Sequence, residues 1–344
     1  MFSIVIDLTQ DISVADQMTI ILRYMPTEGK IPKERLFSVV QCKSSTAMII
    51  KEQICENLRD TGLDLKYLIG NSTDGAANMQ GTYNGFSSHL SLVVPEQIHI
   101  WCYAHILNLV MVDTTSKIIE ISNLFSLLNL IAAFIKESYK RMDIWAELVK
   151  ESGDTRRLNT IGTTRWWSKD ALLTKIFGNF DDPNGGLFVV TVRTLSKIAQ
   201  NANSNGEVRF QANNLKSSLL CYKTILTAQI FLRVFQHTSP LSKYFQTKGL
   251  DLLQAQSMTE KTIEKLNNIS QEFQVVNKAA QNFIKWANAQ LDKELEDFEV
   301  ETELPPVRSR KRKVLDGEIA DDELLFDPIQ KFRADVYDQA LRQC

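Results

Sequence analysis

The sequence predicts an α/β fold in which a mixed β-sheet is followed by a large all-α region. Near the N-terminus, short apolar runs rich in β-branched residues alternate with turn residues, a pattern typical of strands. A stretch with helical spacing and another apolar run come next. Beyond residue 118, apolar residues recur mostly at helical spacing. The predicted strands lie at 2–6, 17–25, 34–42 and 65–70, and the first predicted helix lies at 44–60.

The order of these elements predicts the topology of the sheet. Three strands joined by short turns form an antiparallel meander, and the helix at 44–60 can cross over to a fourth, parallel strand. A short helix at 86–94 and a strand at 98–101 continue the pattern. This succession is the ribonuclease H-like order, so we expect a ribonuclease H-like mixed sheet with a large all-α insertion.

Two aspartates follow predicted strands that should be neighbours in this sheet. Asp7 ends the first strand, and Asp74 lies in the turn after the strand at 65–70. Paired carboxylates are how proteins hold Mg²⁺ or Mn²⁺, because hard cations prefer oxygen ligands. A single aspartate after a strand more often caps the next turn or helix, and this interpretation stays open for each residue alone.

Composition restricts the class of protein. The chain has 344 residues, of which 44% are hydrophobic, enough for two domains with buried cores. Its formal net charge of −2 provides no overall basic field, so any contact with nucleic acid needs a local cationic patch. The five scattered cysteines are typical of buried thiols in a reducing compartment. Because no apolar run reaches the ~20 residues of a spanning helix, we expect a soluble intracellular protein without a membrane segment.

Four motifs occur in a set order along the chain. They are Asp7-Leu8-Thr9-Gln10-Asp11, Asp74-Gly75-Ala76-Ala77-Asn78-Met79, Cys102-Tyr103-Ala104-His105 and Thr164-Arg165-Trp166. Together they resemble the transposase core of the hAT superfamily, in particular its zinc-finger MYM-type protein 1-like members. The resemblance covers residues 1–175, and more weakly the stretch to 300 and the segment 304–341.

The resemblance implies a core for cleavage and transfer of DNA strands that depends on Mg²⁺ or Mn²⁺ and on three acids. Asp7 and Asp74 match the first two acids. The third is a glutamate that follows the helical insertion in the family, and Glu318 and Glu323 are the only nearby substitutes. Leu8 also stands where the family usually has a glutamate.

We therefore expect a truncated, transposase-derived protein without full strand-transfer activity. The zinc finger with which relatives recognise transposon ends has no place before the first strand. Two alternatives stay open. One is a residual metal-dependent nuclease in which a substitute acid completes the site. The other is a domesticated nuclear scaffold or transcriptional repressor that contacts protein partners through the helical insertion.

Four further residues are candidates for contact with DNA. The resemblance favours a position of Cys102 and His105 near the active site, although a buried histidine bonded to a carbonyl group remains an alternative. Zinc needs four ligands and the chain has no second Cys or His pair, so we predict no zinc site. Arg165 suits a phosphate and Trp166 an unpaired base, but adjacent tryptophans also pack domain interfaces.

Four segments are predicted from these patterns: a ribonuclease H-like core at 1–150, a helical insertion at 151–300, a charged flexible linker at 301–327, and the start of a return to the core at 328–344. The linker contains a cationic run that is either a nuclear-import signal or a solvated loop. Its residues are Arg308, Arg310, Lys311, Arg312 and Lys313. We expect a nuclear location or, failing that, a cytoplasmic one.

A seam of apolar residues at alternating steps of three and four predicts one long amphipathic helix at 259–298. The seam consists of Leu266, Ile269, Phe273, Val276, Ala280, Phe283 and Ala287. Such a face needs a partner, and the helical stretch at 215–237 is favoured over a second copy of the chain. We therefore expect a monomer.

Overall fold

The computed structural model describes residues 1–10, 15–29, 31–74, 77–81, 83–158, 167–247, 249–291, 300–306 and 327–343. Its five strands form one sheet in the order β3-β2-β1-β4-β5. They are β1 (Phe2–Gln10), β2 (Asp16–Tyr24), β3 (Lys33–Gln41), β4 (Leu68–Thr73) and β5 (Ile98–Trp101). The first three are antiparallel, and β4 and β5 run parallel to β1. The predicted α/β class and its mixed sheet are confirmed.

One face of the sheet carries the core of the N-terminal part. The helices α1 (Ala47–Asp60), α2 (Ala77–Gln80) and α3 (Phe86–Ser91) contribute to this core. Alternate residues of β1 are buried there, and so are those of β2, because side chains of a strand point to opposite faces in turn. The buried residues of these strands are Phe2, Ile4, Ile6, Met18 and Ile20. Asp7 therefore projects from the other face of β1. The expectation that Asp7 ends this strand is wrong, because pairing with β2 continues the strand to Gln10.

The chain divides into two compact units, Met1–Leu109 and Val110–Cys344, which we call the sheet unit and the helical unit. The helix α4 (Tyr103–Lys117) runs through the boundary. Sequence analysis places the end of the first domain at 150 instead. The helices that follow α4 pack on later helices of the chain, as Phe125 does on Phe231, so they belong with the helical unit.

The helical unit is built around one long helix. Its helices are α5 (Ile119–Lys136), α6 (Tyr139–Glu151), α7 (Trp167–Phe177), α8 (Phe188–Gln200), α9 (Gly206–Leu220), α10 (Tyr222–Phe245), α11 (Leu252–Ile269) and α12 (Phe273–Leu291). α10 contacts α5, α7, α9, α11 and α12. Phe231 and Phe235 of α10 lie with Phe125 of α5 in an aromatic cluster with ring centroids 5.5 to 6.3 Å apart.

The apolar seam lies on two helices rather than on the single helix expected from its periodicity. A turn at residues 270–272 separates α11 from α12, and it is closed by the Glu272 amide, which donates to the Ile269 carbonyl (2.8 Å). The turn occupies about as many residues as one helical turn, so the apolar spacing continues across it. The expected intrachain cover is present, because both helices pack on α10.

The C-terminal helical segment also lies in the helical unit. It comprises α13 (Pro328–Phe332), a π-helical turn (Arg333–Tyr337) and α14 (Asp338–Gln343). The Tyr337 ring packs on Phe273 with centroids 5.0 Å apart, and its hydroxyl donates to the Ile269 carbonyl. This segment therefore holds the turn between α11 and α12 in place. Its expected role as the start of a return to the core stays a prediction.

Two parts of the described chain are long and apolar enough to cross a membrane by composition alone. One is α5, and the other is the α9–α10 pair, which is bent by 60°. In the structure, 44% of the α5 window is buried inside the protein. The apolar side of α5 thus has the partners of a core helix.

Among the described cysteines, Cys55 is buried, Cys42 and Cys221 are half-buried, and Cys102 is exposed. Burial raises the pKa of the Cys221 thiol to about 11, with a further contribution from the neighbouring Glu301 carboxylate. The expectation of buried thiols is thus wrong for Cys102.

Candidate metal and nucleic-acid site

The register between β1 and β4 relates the two predicted acids. Ile4 pairs with Asn71 and Val5 with Ser72 in this parallel ladder. Extended by two residues, the same register sets Asp7 beside Asp74. Neighbouring strands lie about 5 Å apart and paired residues share a face, so this register favours one face of the sheet for both carboxylates, next to the end of β4. Asp7 is exposed and Asp74 half-buried, which leaves both within reach of a hydrated cation.

The next strand brings a third motif to this edge. Thr73 pairs with Trp101 of β5, and the Cys102 amide donates to the Thr73 carbonyl (3.1 Å). Cys102 therefore follows β5 at the level at which Asp74 follows β4. His105 lies half-buried in the first turn of α4. Ligands commonly bind where parallel strands end at their carboxyl termini, and these residues occupy that position.

A polar network on the core side of β4 and β5 was missed by sequence analysis. The Asn71 amide donates to the Gln97 side-chain oxygen, and the Gln97 amide donates to Ser91 Oγ (2.9 Å). His99 Nδ1 donates to Asn71 Oδ1 (2.6 Å). The polar second half of β4, Asn71-Ser72-Thr73, is the only sequence signal for it. The network fixes β4, the strand that carries Asp74, against β5 and α3.

The burial of His99 makes the stability of the sheet unit depend on pH. Burial lowers the pKa of His99 below its ordinary value of 6.5, so the unfolded state binds a proton more readily than the folded state. Above pH 6.5 the imidazole is neutral in both states. As the pH falls from 6.5 toward the lowered folded pKa, the unfolded state takes up the proton first and the free energy of unfolding decreases. We expect amide hydrogen exchange in β4 and β5, corrected for intrinsic rates, to accelerate as the pH falls below about 6.5.

Two variants test this expectation. His99→Gln retains an N–H donor for Asn71 and should remove most of the pH dependence. His89→Gln on α3 is the matched control and should leave it unchanged. An identical pH profile in wild type and His99→Gln would show that another group is responsible.

The described residues contain no group of three or more His, Cys, Asp or Glu side chains that could hold a metal ion. The carboxylate pair therefore fits a cation that takes most of its ligands from water, and it does not by itself make a three-acid site. Glu318 and Glu323, the suggested substitutes, lie outside the described residues, as do Arg308, Arg310, Lys311, Arg312 and Lys313.

The N-terminal part of the chain was compared with known protein families. Residues 1–85 match the DUF4371 family, described as ZMYM1/FAM200, RNase-like domain. The matched segment includes Asp7 and Asp74 and ends before Cys102. The first 85 residues are thus similar to an RNase-like domain of the ZMYM1/FAM200 type, in agreement with the mixed sheet. This similarity supports a transposase-derived protein.

The helical unit has a cationic cleft of about 560 Å³ between α7 and the C-terminal half of α10. Its cations are Arg156, Lys175 and Lys243. Burial and the nearby charge of Arg156 lower the pKa of Lys175, which shows that two cations are held close together. The acid of the cleft, Asp170, accepts hydrogen bonds from Thr174 Oγ1 (3.2 Å) and Ser239 Oγ (2.6 Å).

The Arg156 side chain is held at the edge of this cleft. Its Nε donates to Asp154 Oδ2 (2.7 Å), and its Nη2 donates to the Gly185 carbonyl (2.7 Å). The hydrogen bond from the Arg156 side chain, together with those from the Arg156 and Thr155 amides, lowers the pKa of Asp154 to about 2. The ion pair with Asp154 and the Gly185 carbonyl fix the orientation of the guanidinium group.

The Arg165-Trp166 motif lies outside the described residues, directly before α7. Its role in DNA contact stays a prediction. The cleft lined by α7 is a second cationic feature that follows it in the chain, and no sequence signal identified it because its cations come from three distant segments.

Proposed function

We propose that this protein is a hAT transposase-derived DNA-binding protein whose ribonuclease H-like sheet carries an incomplete metal site. The observation that carries the proposal is the parallel register of β1 and β4, because its last pair, Val5 with Ser72, lies two residues before Asp7 and Asp74. The similarity of residues 1–85 to the ZMYM1/FAM200 RNase-like domain supports it. Full strand transfer is not proposed, because the part of the chain that the structure describes offers no group of three acids.

Asp7 and Asp74 would hold Mg²⁺ or Mn²⁺ through their carboxylate oxygens. A divalent cation at such a site supplies Lewis-acid stabilisation of a phosphate oxygen and activation of a water molecule or hydroxyl group. The side chains themselves orient the cation. Cys102 follows β5 beside them, and its thiol is exposed to any bound strand.

Contact with the phosphate backbone is assigned to local cations, because the chain as a whole has a net charge of −2. The cationic cleft provides Arg156, Lys175 and Lys243 for this purpose. Arg165 and Trp166 add a phosphate ligand and a stacking surface in the segment before α7. We place the protein in the nucleus through the cationic run at 308–313, and we expect a monomer.

Calorimetric titration with Mn²⁺ tests the metal site. We expect weak binding, with a dissociation constant of about 10⁻⁴–10⁻³ M, because water supplies most of the ligands. Asp74→Asn should abolish this binding, since it removes one of the two anionic ligands. Asp60→Asn, an exposed change at the end of α1 in the same unit, is the matched control and should retain it.

Two outcomes would contradict the proposal. Absence of any Asp74-dependent Mn²⁺ signal would remove the metal site. Tight binding that Asp74→Asn abolishes, together with cleavage of a DNA duplex, would show that a further acid completes the site and that the protein is an active nuclease.

A protein-binding scaffold is the second candidate function. The observation that favours it is a set of exposed apolar residues on α11, where Leu252, Leu253 and Ile263 are 63%, 79% and 53% exposed. Exposed apolar residues can contribute to a contact surface for a protein partner. If the wild-type protein binds both Mn²⁺ and DNA, the first function is favoured over the scaffold.

A further inference from the structure

A second cleft of the helical unit, of about 490 Å³, lies between α10, α12 and the loop at 178–186. We call it the amide cleft, because side-chain amides dominate its polar lining. Its polar and aromatic residues are Asn179, Asp181, Asn184, Gln229, Lys278, Asn282, Phe283 and Trp286. Its volume lies within the range of about 300–1,000 Å³ that is usual for pockets binding small molecules.

Gln229 of α10 is the residue that points to a ligand. Its side chain is only 2% exposed, and its Oε1 has no hydrogen-bond partner among the described residues. A buried acceptor without a donor costs free energy, and native proteins rarely retain one without a reason. The amide cleft is therefore built to receive a group that carries an N–H donor.

Trp286 of α12 supplies a fixed aromatic surface in the same cleft. Its Nε1 donates to Asn184 Oδ1 (3.1 Å), and its ring lies beside Phe283 with centroids 5.4 Å apart. The indole is half-buried and held at both its polar and apolar edges. Because the indole is already fixed, a planar ring can stack on it without a further loss of side-chain conformational entropy.

The loop that closes the cleft is held in a strained conformation. Asp181 has a φ of 62°, in the left-handed region that disfavours residues other than glycine. Gly178 has a φ of 79°, and a Cβ there would lie 2.5 Å from the Asp182 carbonyl oxygen. Strain of this kind persists where the surrounding structure imposes it, and it occurs frequently at ligand sites.

The same loop joins the amide cleft to the cationic cleft. Asn184 lines the amide cleft and bonds to Trp286, while the carbonyl of the next residue, Gly185, accepts from Arg156 of the cationic cleft. A ring in one cleft and a phosphate in the other would thus lie on either side of one loop.

We propose that the amide cleft binds an unpaired nucleobase, with Gln229 reading its edge and Trp286 stacking on its face. Nucleobases present N–H donors next to acceptor atoms, which is the complement of a carboxamide. They are also planar, as the indole surface requires. The proposal deepens the DNA binding proposed above and rests on it for the strand that delivers the base.

The test compares two single-stranded oligonucleotides that differ at one position, one carrying all its bases and the other an abasic site. Binding is measured by fluorescence anisotropy for the wild type, Gln229→Leu and Gln236→Leu. Gln236 is exposed on the same helix and provides the matched control. Thermal melting of each variant shows whether it is folded.

We expect the wild type to bind the intact strand about tenfold more tightly than the abasic strand, because the abasic strand leaves the cleft polar atoms unpaired. Gln229→Leu should lose this preference and melt at an unchanged or higher temperature, since it replaces an unsatisfied acceptor by an apolar group. Gln236→Leu should behave as the wild type.

Equal binding of both strands by the wild type would overturn the base site and leave the DNA-binding proposal standing. Absence of binding to either strand would overturn the DNA-binding proposal itself. In that case NMR spectroscopy tests the cleft separately. The indole N–H signal of Trp286 is assigned by its loss in Trp286→Phe, and its chemical shift is followed during titration. A shift with deoxynucleoside monophosphates and none with inorganic phosphate supports the base site, and no shift overturns it.

Discussion

Phe231→Ala should reduce the free energy of unfolding of the helical unit by about 3–5 kcal/mol, the largest effect of any single change considered. Phe231 is fully buried in α10 and packs edge-to-face on Phe125, with centroids 5.5 Å apart, and on Phe235. Its removal leaves a cavity at the helix that all the neighbouring helices contact. Chemical denaturation monitored by circular dichroism measures the loss.

Phe210→Ala is the matched control for this prediction. Phe210 lies on α9 of the same unit and is 68% exposed, so its truncation forfeits little buried area. We expect a change within about 0.5 kcal/mol. Equal effects of the two variants would mean that α10 is not the centre of the helical core.

Ile20→Ala should destabilise the sheet unit by about 2–5 kcal/mol. Ile20 is fully buried on β2 and pairs with Ile6 of β1, the residue before Asp7. The cavity would lie in the core that holds β1 against α1, and with it the strand that carries the first acid. Native-state hydrogen exchange of the β1 and β2 amides measures this loss separately from the helical unit.

Ile98→Ala provides the control in the same sheet. Ile98 of β5 is 65% exposed, so we expect a change below about 0.5 kcal/mol. Both variants remove the same atoms from a strand. The difference between their changes in the free energy of unfolding therefore reports the effect of burying the isoleucine side chain. A comparable loss in both would show that the exposed face of the sheet is covered in solution.

The seam of residues from Leu266 to Ala287 shows which structural features apolar periodicity can predict and which it cannot. The alternating steps of three and four correctly marked a buried face, and most seam residues are buried in the structure. Periodicity did not reveal the turn at 270–272, because a turn of about one helical repeat preserves the spacing. The hydrogen bond from Tyr337 to Ile269, which comes from the end of the described chain, is a contact that no local pattern contains.

The candidate site also has features that the sequence predicted and features that only the structure revealed. The sequence marked Asp7 and Asp74 because each follows an apolar run, and strand order predicted their proximity. The sequence held no comparable signal for the network of Asn71, Gln97 and His99, nor for the amide cleft around Gln229. Amide side chains occur throughout a chain, and only packing decides which of them are buried without a partner.

The sequence by itself determined the class of the fold, the antiparallel meander of the first three strands and the helical crossover to a parallel fourth strand. It could do so because alternation and helical spacing are local consequences of burying one face of a strand or helix. Only the tertiary structure decided where the seam breaks, which helices surround α10, and how the loop at 178–186 joins a cationic cleft to an amide cleft. Those features depend on contacts between residues far apart in the chain, such as Arg156 with Gly185 and Trp286 with Asn184, and local spacing carries no information about such contacts.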